Sequence, residues 1–595
     1  MSGSNKAIEE EEEEVSACSQ LLFEPHLTKQ EFQNTKSLVE NFENGIGKRL
    51  QEKLLEKAAN KKNWLEKMWE DIGYLSLRIP MSYLNMCGIL IMDDESWPLD
   101  QDGTEVSRAA QISHKSLEYF KFIEHERIKP QRHGKTLFSM YQWKRVYNTT
   151  RIPGDKMDSL KIHFKTAEEG GDNPRHVLVF MKGHIFSFDA VDEDGRILTV
   201  AELESQLKEV KSKCEDLPVG PGISALTSDC RQSWSKNRQY LIKIHPKNEY
   251  LLDHVEKAIF CINFDENKVK KSEVLHNTVF GDCHNRWYDK SVNINAFKGG
   301  AVTCHADHTP ADGMVMIAVM QYIHASITET QKQGKLDNSY VIRPTAKPVK
   351  IDFKVDDYIR KSIDQATAAH NERASEIEFA NKHFLDYGKG FMKQQKMHPD
   401  TFIQLVIQLA YYRMHSKFAP TYETASTRKY YHGRTETLRS CTMECVQWIK
   451  AMDDDNISRD EKIKLLKKAY EKHNQLMADG MKGEGCDRHL FGLYQVAKEE
   501  GLEIPEIYKD PAWQKSGGDG NFILSTSLSG YSHLGGGTIP MCHNGYGLFY
   551  SILENKTSFC ISAFIANKET NAERYYQYIC ESLKEIRELL CSANL

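Results

Sequence analysis

The spacing of apolar and polar residues predicts helices at the start and in the second half of the chain. Residues 28–79 are rich in Leu, Lys and Glu, and their apolar positions recur near helical spacing. Residues 401–415, TFIQLVIQLAYYRMH, are apolar almost all round, which is typical of a helix buried on every side. Thr401 with Gln404 fits a capping box at its start.

Between these regions, helical and strand-like stretches alternate. Short runs of β-forming residues stand between Gly, Asp and Asn turns, for example HVLVFMKGHIFSFDA in residues 176–190. The further predicted strands are residues 301–309, 521–529 and 547–561, and the further predicted helices are residues 199–213, 313–328 and 569–590. This alternation predicts an α/β fold.

Two domains of comparable size account for this pattern better than four small ones. We expect an N-terminal α/β domain over residues 19–350, which carries the candidate catalytic histidine, and a C-terminal α/β domain over residues 351–595. The helical segment at residues 28–79 can pack on either domain. Residues 1–18 contain a run of glutamates and are expected to form a disordered acidic tail.

The composition argues against several classes of protein. With 78 Lys and Arg against 84 Asp and Glu, the formal net charge is −6, which argues against nucleic-acid binding through a broadly basic surface. The 14 cysteines contain no CxxC pair, which favours reduced thiols over a disulfide framework. No apolar run is long enough for a membrane-spanning helix. The first residues are acidic and include no apolar run, so they are not expected to be a secretory signal or a mitochondrial transit peptide.

The stretch CHADHTPAD contains five residues with candidate chemistry, namely Cys304, His305, Asp307, His308 and Asp312. These residue types can bind zinc, but their spacing matches none of the usual ligand pairs, so no metal is expected. His308 can be a general base organised by a carboxylate, or a hydrogen-bonded histidine at a strand end. Asp312 lies one turn beyond His308 if a helix begins here.

Two further segments carry candidate polar groups. Ser525, Thr526 and Ser527 lack the GxSxG pattern of a nucleophile. This triplet is either a strand edge or turn, or a place where a hydroxyl donates to a developing oxyanion. Arg488 stands in the otherwise apolar run DRHLFGL, so it is expected to be buried and to pair with a carboxylate.

Three lysines form a possible basic face. Lys389, Lys393 and Lys396 fall at i, i+4 and i+7, which is one face if the segment is helical. Such a face is either solvated or adjacent to a polyphosphate ligand, and the residues alone leave both interpretations open.

Taken in order, these segments and several others resemble the carnitine/choline acyltransferase family. The motifs that carry the resemblance are WLEKMWEDIGYLSLRIP, GISALTSDCRQSWSKNR, NRWYDKS, HTPADG, HPDTFIQLVIQLAYYR, YETAS, GRTETLRS, DRHLFGL, the STS triplet and NGYG. The resemblance covers nearly the whole chain except the acidic tail. The chain departs from the family in LLFEPHL before the first helices and in extra polar residues at 165–174, and neither departure touches a motif that carries chemistry.

The resemblance implies two domains, each like chloramphenicol acetyltransferase, with the active site in a tunnel between them. It implies that His308 is the general base, that Asp312 pairs with Arg488, and that Ser527 donates to the oxyanion. The hydroxyl of L-carnitine would attack the thioester of acyl-CoA directly and reversibly, without an acyl-enzyme. No cofactor is implied, because CoA is a co-substrate.

The resemblance also places both substrate sites in the C-terminal domain. The implied carnitine-binding residues are Tyr422, Thr424, Thr435, Arg488 and Ser527, and the implied CoA-binding residues are Lys389, Lys393 and Asp400. Choline acetyltransferases lack the threonine and arginine that match Thr435 and Arg488. This chain has both, so carnitine is the expected acyl acceptor.

The residue at position 536 bears on the length of the acyl group. In short-chain members of the family, a methionine closes the acyl tunnel nine residues before the first Gly of the GYG motif, and Gly536 holds that position here. The resemblance therefore implies transfer of a medium-chain, octanoyl-like group, with acetyl or long-chain palmitoyl transfer as alternatives. An acyl-CoA-binding pseudoenzyme is the alternative outside the enzymes. A Ser/His thioesterase is disfavoured, because the chain has no nucleophile elbow.

The C-terminus carries a possible address. The last residues, Ser592, Ala593, Asn594 and Leu595, are a variant of the SKL-type peroxisomal signal. We therefore expect a peroxisomal protein with an import receptor among its partners, with the cytoplasm and the mitochondrion as alternatives. The chain is expected to be a monomer.

Overall fold

The computed structural model describes residues 21–90, 97, 101–332 and 342–591. The α-helices in these residues are α1 (Lys29–Asn44), α2 (Ile46–Ala58), α3 (Leu65–Glu70), α4 (Glu105–Glu124), α5 (Val200–Glu215), α6 (Arg231–Ile244), α7 (Pro246–Lys257), α8 (Val274–Phe280), α9 (Gly313–Lys332), α10 (Asp357–Ser375), α11 (Lys389–Gln394), α12 (Pro399–His415), α13 (Met443–Met452), α14 (Arg459–Lys482), α15 (Cys486–Glu499), α16 (Pro511–Lys515) and α17 (Ala572–Cys591).

The β-strands of the same residues are β1 (Met86–Leu90), β2 (Arg132–His133), β3 (Thr136–Leu137), β4 (Thr149–Ile152), β5 (Ser159–Ile162), β6 (His176–Met181), β7 (His184–Asp189), β8 (Cys261–Lys268), β9 (Asn293–Lys298), β10 (Val302–Ala306), β11 (Val349–Lys350), β12 (Ile377–Phe384), β13 (Thr421–Ser426), β14 (Thr435–Leu438), β15 (Leu524–Leu528), β16 (Leu534–Gly537), β17 (Tyr546–Ile552) and β18 (Thr557–Phe564).

In the described part of the chain, most of the strands form two large sheets. The first sheet has the strand order β11-β7-β6-β8-β9-β10-β1-β16, and the second has the order β12-β18-β17-β15-β13-β14. Both sheets are mixed, with parallel pairs at β6–β8–β9 and at β13–β15–β17 and antiparallel pairs elsewhere. The predicted α/β fold class is confirmed.

Both faces of the first sheet are buried. On β6, Val177 and Val179 pack into a cluster with helices α4, α5 and α9. Leu178 and Phe180 point to the other face and join a cluster with α6, α7 and α10, because successive side chains of a strand alternate between faces. This double burial explains why the segment HVLVFM is apolar throughout.

Helix α12 lies in the core of the second sheet, and its apolar circumference is buried as predicted. The predicted capping box is wrong, because the helix begins at Pro399 and its N-terminus has no side-chain cap. Thr401 instead donates to Asn474 at 2.8 Å, and Gln404 donates to the Thr526 hydroxyl at 2.9 Å. These polar side chains serve tertiary contacts inside the core.

The N-terminal helices α1 and α2 pack against the second half of the chain. Leu50 and Leu54 of α2 are almost fully buried in one cluster with Leu490 and Leu493 of α15. The sequence leaves open which half these helices join, and this contact answers the question. The cluster brings the segment that follows α2 close to α15.

Strand β16 is a second connection between the two halves of the chain. Its residues come from the second half of the chain, yet it pairs with β1 at the edge of the first sheet. A division at residue 350 therefore separates the strands of the two sheets except at β16. Among the helices, α1 and α2 pack with the second half, and α10, which follows residue 350, packs on the first sheet. None of the helices in the described ranges is long and apolar enough to cross a membrane. The predicted acidic tail and the four C-terminal residues lie outside the described residues.

Candidate active site

His308 lies just beyond the end of β10 in the first sheet. Its Nδ1 atom is shielded from solvent, while the residue as a whole keeps some exposure. Burial lowers the pKa of His308 below the ordinary histidine value, and the nearby Arg434 guanidinium acts in the same direction. The imidazole is therefore neutral at physiological pH, which is the form that can accept a proton.

The segment around His308 is held by buried hydrogen bonds. The Thr309 hydroxyl donates to Asp307 at 2.7 Å and accepts from the Arg151 guanidinium at 2.9 Å. Arg151 is itself paired with Asp158 at 2.6 Å, and the exposure of both side chains is zero. Because these groups have no access to water, the segment cannot move without breaking paired charges.

Asp312 is paired with Arg434, and the implied pairing with Arg488 is wrong. The carboxylate of Asp312 accepts from the Arg434 Nε at 3.0 Å and from the Gln142 Nε2 at 2.7 Å. Burial acts to raise the pKa of Asp312, but Arg434 and His308 outweigh it, so the pKa lies below its ordinary value. Asp312 is therefore ionised at neutral pH.

The link between Asp312 and His308 runs through Arg434 rather than along a helix face. Helix α9 begins at Gly313, after both residues, so they do not share a helical turn. Arg434 donates to the backbone carbonyl of His308 at 2.9 Å and to that of Thr309 at 2.5 Å. One guanidinium therefore fixes the carboxylate and the backbone of the histidine together.

Arg488 is buried, but its guanidinium bonds to neutral oxygens rather than to the expected carboxylate. It donates to the Tyr422 hydroxyl at 3.1 Å, the Thr437 hydroxyl at 2.9 Å and the Thr435 carbonyl at 3.2 Å. The Glu436 carboxylate accepts from the backbone N–H of Arg488 at 3.2 Å. A buried guanidinium surrounded by hydroxyls favours an incoming carboxylate, because Arg–carboxylate hydrogen bonds are stronger than those to neutral acceptors.

One face of the second sheet carries the predicted polar residues. Tyr422 of β13 pairs with Ser525 of β15 in parallel register, so Tyr422, Ser525 and Ser527 point to the same side. Thr526 points to the opposite side, where it bonds to Gln404 of α12. The alternation of the STS triplet thus directs both serines away from the core helix.

The neighbouring strand β14 extends this face. Ser426 of β13 pairs with Thr435, and Thr424 pairs with Thr437. Directly opposite residues share a face, so Thr424 and Thr435 lie on the same side as Tyr422 and Ser527. The structure therefore brings all the implied carnitine-binding residues to one surface, with Arg488 at its edge. The roles of these residues remain predictions.

The segment after α2 forms a wall that the sequence reasoning did not assign to the site. The Arg488 guanidinium lies 3.6 Å from the ring centre of Trp69, and the Arg434 guanidinium lies 4.5 Å from that of Tyr74. The rings of Tyr74 and His308 are 5.4 Å apart. Trp69 and Tyr74 therefore connect the arginine site to the histidine site. Both residues stand in WLEKMWEDIGYL, a motif that contributed to the resemblance without an assigned function.

Residues Asp71–Leu75 of this wall form one π-helical turn. Such turns are rare and frequently occur at functional sites. The wider turn precedes Ser76, whose backbone N–H donates to the Asp71 carbonyl at 2.7 Å. Burial raises the pKa of Tyr74 to about 12, so its hydroxyl stays protonated.

The implied CoA residues lie on two consecutive helices. Lys389 and Lys393 both belong to α11, whereas Lys396 follows the end of that helix with a φ of 59°. The prediction of a single face for three lysines is therefore wrong for Lys396. The Lys389 ammonium lies 5.5 Å from the ring centre of Tyr531, and Lys393 is exposed.

Asp400, at the start of α12, is the implied contact of the pantetheine arm. It accepts a hydrogen bond from the Tyr550 hydroxyl at 2.5 Å. Burial raises the pKa of Asp400 to about 7, and the charge of Glu423 acts in the same direction. Near neutral pH this carboxyl group can be either a donor or an acceptor, which suits a ligand that contains amides.

A small apolar cavity lies between the first sheet and α9. Its volume is about 20 Å³, and its lining includes Cys304 of β10 with Met316, Val319 and Met320 of α9. Cys304 and His305 point to opposite faces of β10, so they do not converge on one ligand. No sequence signal identified this cavity, because its lining comes from distant segments.

Comparison with known proteins places the chain in a family. The profile of the choline/carnitine O-acyltransferases matches residues 17–581. The peroxisomal carnitine O-octanoyltransferase of Mus musculus is 39% identical over 577 residues, which cover 96% of this chain and 94% of that protein. The Homo sapiens protein of the same name is 38% identical with the same coverage. The carnitine O-acetyltransferase of Homo sapiens is 30% identical over 587 residues, covering 96% and 90%. The chain therefore belongs to the choline/carnitine O-acyltransferase family.

Proposed function

We propose that the protein catalyses the reversible transfer of a medium-chain, octanoyl-like acyl group between CoA and the hydroxyl of L-carnitine. The observation that carries this proposal is the buried Arg488 guanidinium, which bonds to the Tyr422 hydroxyl at 3.1 Å and faces no carboxylate of the chain within hydrogen-bond distance in the described residues. It supplies a site for the carboxylate of carnitine, which choline lacks. The greater identity to proteins named octanoyltransferases than to one named acetyltransferase supports the choice of acyl group.

The proposed reaction proceeds in two steps. His308 removes the proton from the carnitine hydroxyl, and the resulting alkoxide attacks the thioester carbonyl carbon. The Ser527 hydroxyl donates to the oxyanion of the tetrahedral intermediate. The intermediate then expels the CoA thiolate, which takes the proton from the His308 imidazolium. Atoms and charges balance without a cofactor or an acyl-enzyme.

Asp312 and Arg434 act on the protonation of His308. The charge of Asp312 favours the protonated imidazole, while Arg434 opposes it. The two effects on the pKa oppose each other, so the charge of Asp312 does not leave the histidine permanently protonated. Arg434 also holds the His308 backbone through its carbonyl oxygen. The imidazolium forms only when the substrate supplies a proton.

The first test measures release of CoA thiol from acetyl-, octanoyl- and palmitoyl-CoA, with L-carnitine, with choline and without an acceptor. We expect release that needs L-carnitine and is fastest with octanoyl-CoA. The largest rate with acetyl-CoA would refute the medium-chain assignment and leave the mechanism intact. If no donor gives carnitine-dependent release, the enzyme proposal is refuted and an acyl-CoA-binding protein takes its place.

We further infer a peroxisomal location, with residues 592–595 as the signal read by an import receptor. The names of the octanoyltransferase relatives support this location. A fluorescent protein fused to the N-terminus should colocalise with a peroxisomal marker in cells. Deletion of the last three residues should make the fluorescence diffuse. A deletion variant that still reaches peroxisomes would show that the C-terminus is not the address.

A further inference from the structure

Three residues form a row across the edge of the first sheet. Gly88 at the centre of β1 pairs directly with Cys304 of β10 on one side and with Gly536 of β16 on the other. Directly opposite residues share a face, so the row lies on one side of the sheet. It spans two strand spacings, or about 10 Å, from the strand that leads to His308.

Met320 of α9 lies on the centre of this row. A Cβ atom built on Gly88 would be 2.8 Å from the Met320 Sδ and 3.0 Å from its Cε. The thioether thus occupies the space that the missing side chain leaves. Met320 also lines the apolar cavity beside Cys304, and it is only 8% exposed. It therefore lies between that cavity and the backbone of Gly88 at the centre of the row.

Gly536 itself has no room for a side chain. A Cβ atom built there would lie 2.6 Å from the Cys87 carbonyl oxygen, a backbone atom of β1. The absence of a side chain at this position thus allows β1 and β16 to approach closely. Substitution of Gly536 would disturb the strand pairing and the acyl site together, so another residue must be used to test what sets the acyl length.

We infer that Met320 sets the length of acyl chain that the protein accepts. This inference rests on the proposed acyltransferase function. The cavity of about 20 Å³ is too small for a medium acyl chain while Met320 covers Gly88. Met is unbranched and adapts to its surroundings, so its thioether can swing aside and let the chain run across the row. The longest acyl group that the protein accepts is then the longest one for which displacement of the Met320 thioether makes enough room.

The test compares kcat/KM for acetyl-, butanoyl-, octanoyl-, dodecanoyl- and palmitoyl-CoA in the wild type, in Met320→Ala and in Met320→Phe. Removal of the thioether should shift the preference toward longer chains. The ratio of kcat/KM for the longer donor to that for octanoyl-CoA should rise by about fourfold for each further methylene that becomes buried. Met320→Phe fills the same space with a stiffer side chain and should shift the preference toward acetyl- and butanoyl-CoA.

Met452→Ala is the matched control, because Met452 is 6% exposed and packs in the core of the second sheet. It should lower the thermal unfolding temperature in the same manner as Met320→Ala while the chain-length profile stays that of the wild type. Thermal unfolding of every variant establishes that the folded enzyme is being assayed. If Met320→Ala is too unstable to assay, the opposite shift in Met320→Phe carries the test.

The possible failures are distinguishable. A wild type without carnitine-dependent turnover on any donor would refute the proposed function, and the inference with it. A wild type that turns over normally, together with folded Met320 variants that keep its chain-length profile, would refute the role of Met320 alone. Equal shifts in Met320→Ala and Met452→Ala would also refute it, since they would reflect general loosening of the core.

Discussion

A His308→Ala variant is expected to lose carnitine-dependent turnover by about 10²–10⁴ in kcat, the usual contribution of a general base. The reason is that the carnitine hydroxyl keeps its proton until a base accepts it, and His308 is neutral because burial lowers its pKa. The KM for octanoyl-CoA should change little, since CoA is expected to bind through residues of α11 and α12 rather than through His308. Steady-state kinetics with octanoyl-CoA and L-carnitine measure both values.

The pH profile gives a second, independent readout of His308. Only the neutral imidazole accepts a proton, so the activity of the wild type should fall as the pH falls through the pKa of His308. Because that pKa lies below 6.5, the acid limb of kcat/KM should also lie below pH 6.5. An acid limb well above 6.5, or a His308→Ala variant with an unchanged profile, would contradict the assignment.

Ser527→Ala is the control for this experiment. Loss of one oxyanion donor should lower kcat by about 10²–10³. The acid limb should stay where it is in the wild type, because Ser527 does not titrate in this range. Thermal unfolding of both variants separates a chemical defect from misfolding. If Ser527→Ala retained full activity, the oxyanion would have to be stabilised by another donor.

Local patterns in the sequence predicted several elements of this fold, although the predicted strand at residues 547–561 is observed as two antiparallel strands, β17 and β18. The predicted helix at residues 199–213 is observed as α5, which has a complete capping box at Thr199 and Glu202. The predicted helix at 313–328 is observed as α9, which begins at the same residue. These elements follow from side chains that interact within a few residues of each other, so the chain pattern contains the necessary information.

The sequence does not predict which buried side chains from distant segments contact each other. Arg434 and Arg488 are both buried, and either can serve as the counterion of a carboxylate. Which of them meets Asp312 depends on how the segment before β14 docks against the segment after β10. In the same way, Gln404 satisfies a capping pattern in the sequence but bonds to Thr526 across the core.

Strand β16 illustrates a second limit. Its sequence, LGGG, has no β-branched or aromatic residue, so β-propensity does not predict a strand. It becomes a strand because glycine at Gly536 permits the close approach of the Cys87 carbonyl. The sequence interpretation took this glycine as room for a longer acyl chain, whereas the structure shows contact between backbones. Both consequences follow from the missing side chain, and the contact with the Cys87 carbonyl explains why this segment pairs with β1.

Substitution of the two buried arginines should affect different kinetic parameters, kcat for Arg434 and the KM for carnitine for Arg488. Arg434→Gln leaves Asp312 buried without its counterion, so kcat should fall and the free energy of unfolding should drop by about 3–5 kcal/mol, while the KM for carnitine stays close to that of the wild type. Arg488→Gln should instead raise the KM for carnitine. Loss of a buried hydrogen-bonded charge contact of about 2–5 kcal/mol corresponds to a loss of kcat/KM of about 30- to 5,000-fold. Steady-state kinetics and chemical unfolding separate the two.

Choline gives a further discrimination for Arg488. Because choline has no carboxylate, its kcat/KM should be nearly the same in Arg488→Gln and in the wild type, so the preference for carnitine over choline should collapse. Arg434→Gln should lower turnover of both acceptors by the same factor, since Arg434 acts on the histidine side. An Arg488→Gln variant that keeps its preference for carnitine would contradict the proposed carboxylate site.

Double-variant cycles with Asp312→Asn decide which arginine is the partner. Residues in direct contact show coupling energies of about 0.5–3 kcal/mol, whereas independent sites are additive. The Arg434 Nη2 lies 2.9 Å from Asp312, so Asp312→Asn should relieve much of the instability of Arg434→Gln, because the unpaired buried charge is removed with it. The same substitution should add to the effect of Arg488→Gln without coupling. Strong coupling of Asp312 to Arg488 and none to Arg434 would overturn this arrangement. Arg488 would then be the partner of the catalytic carboxylate, and it could not be the residue that binds the carboxylate of carnitine.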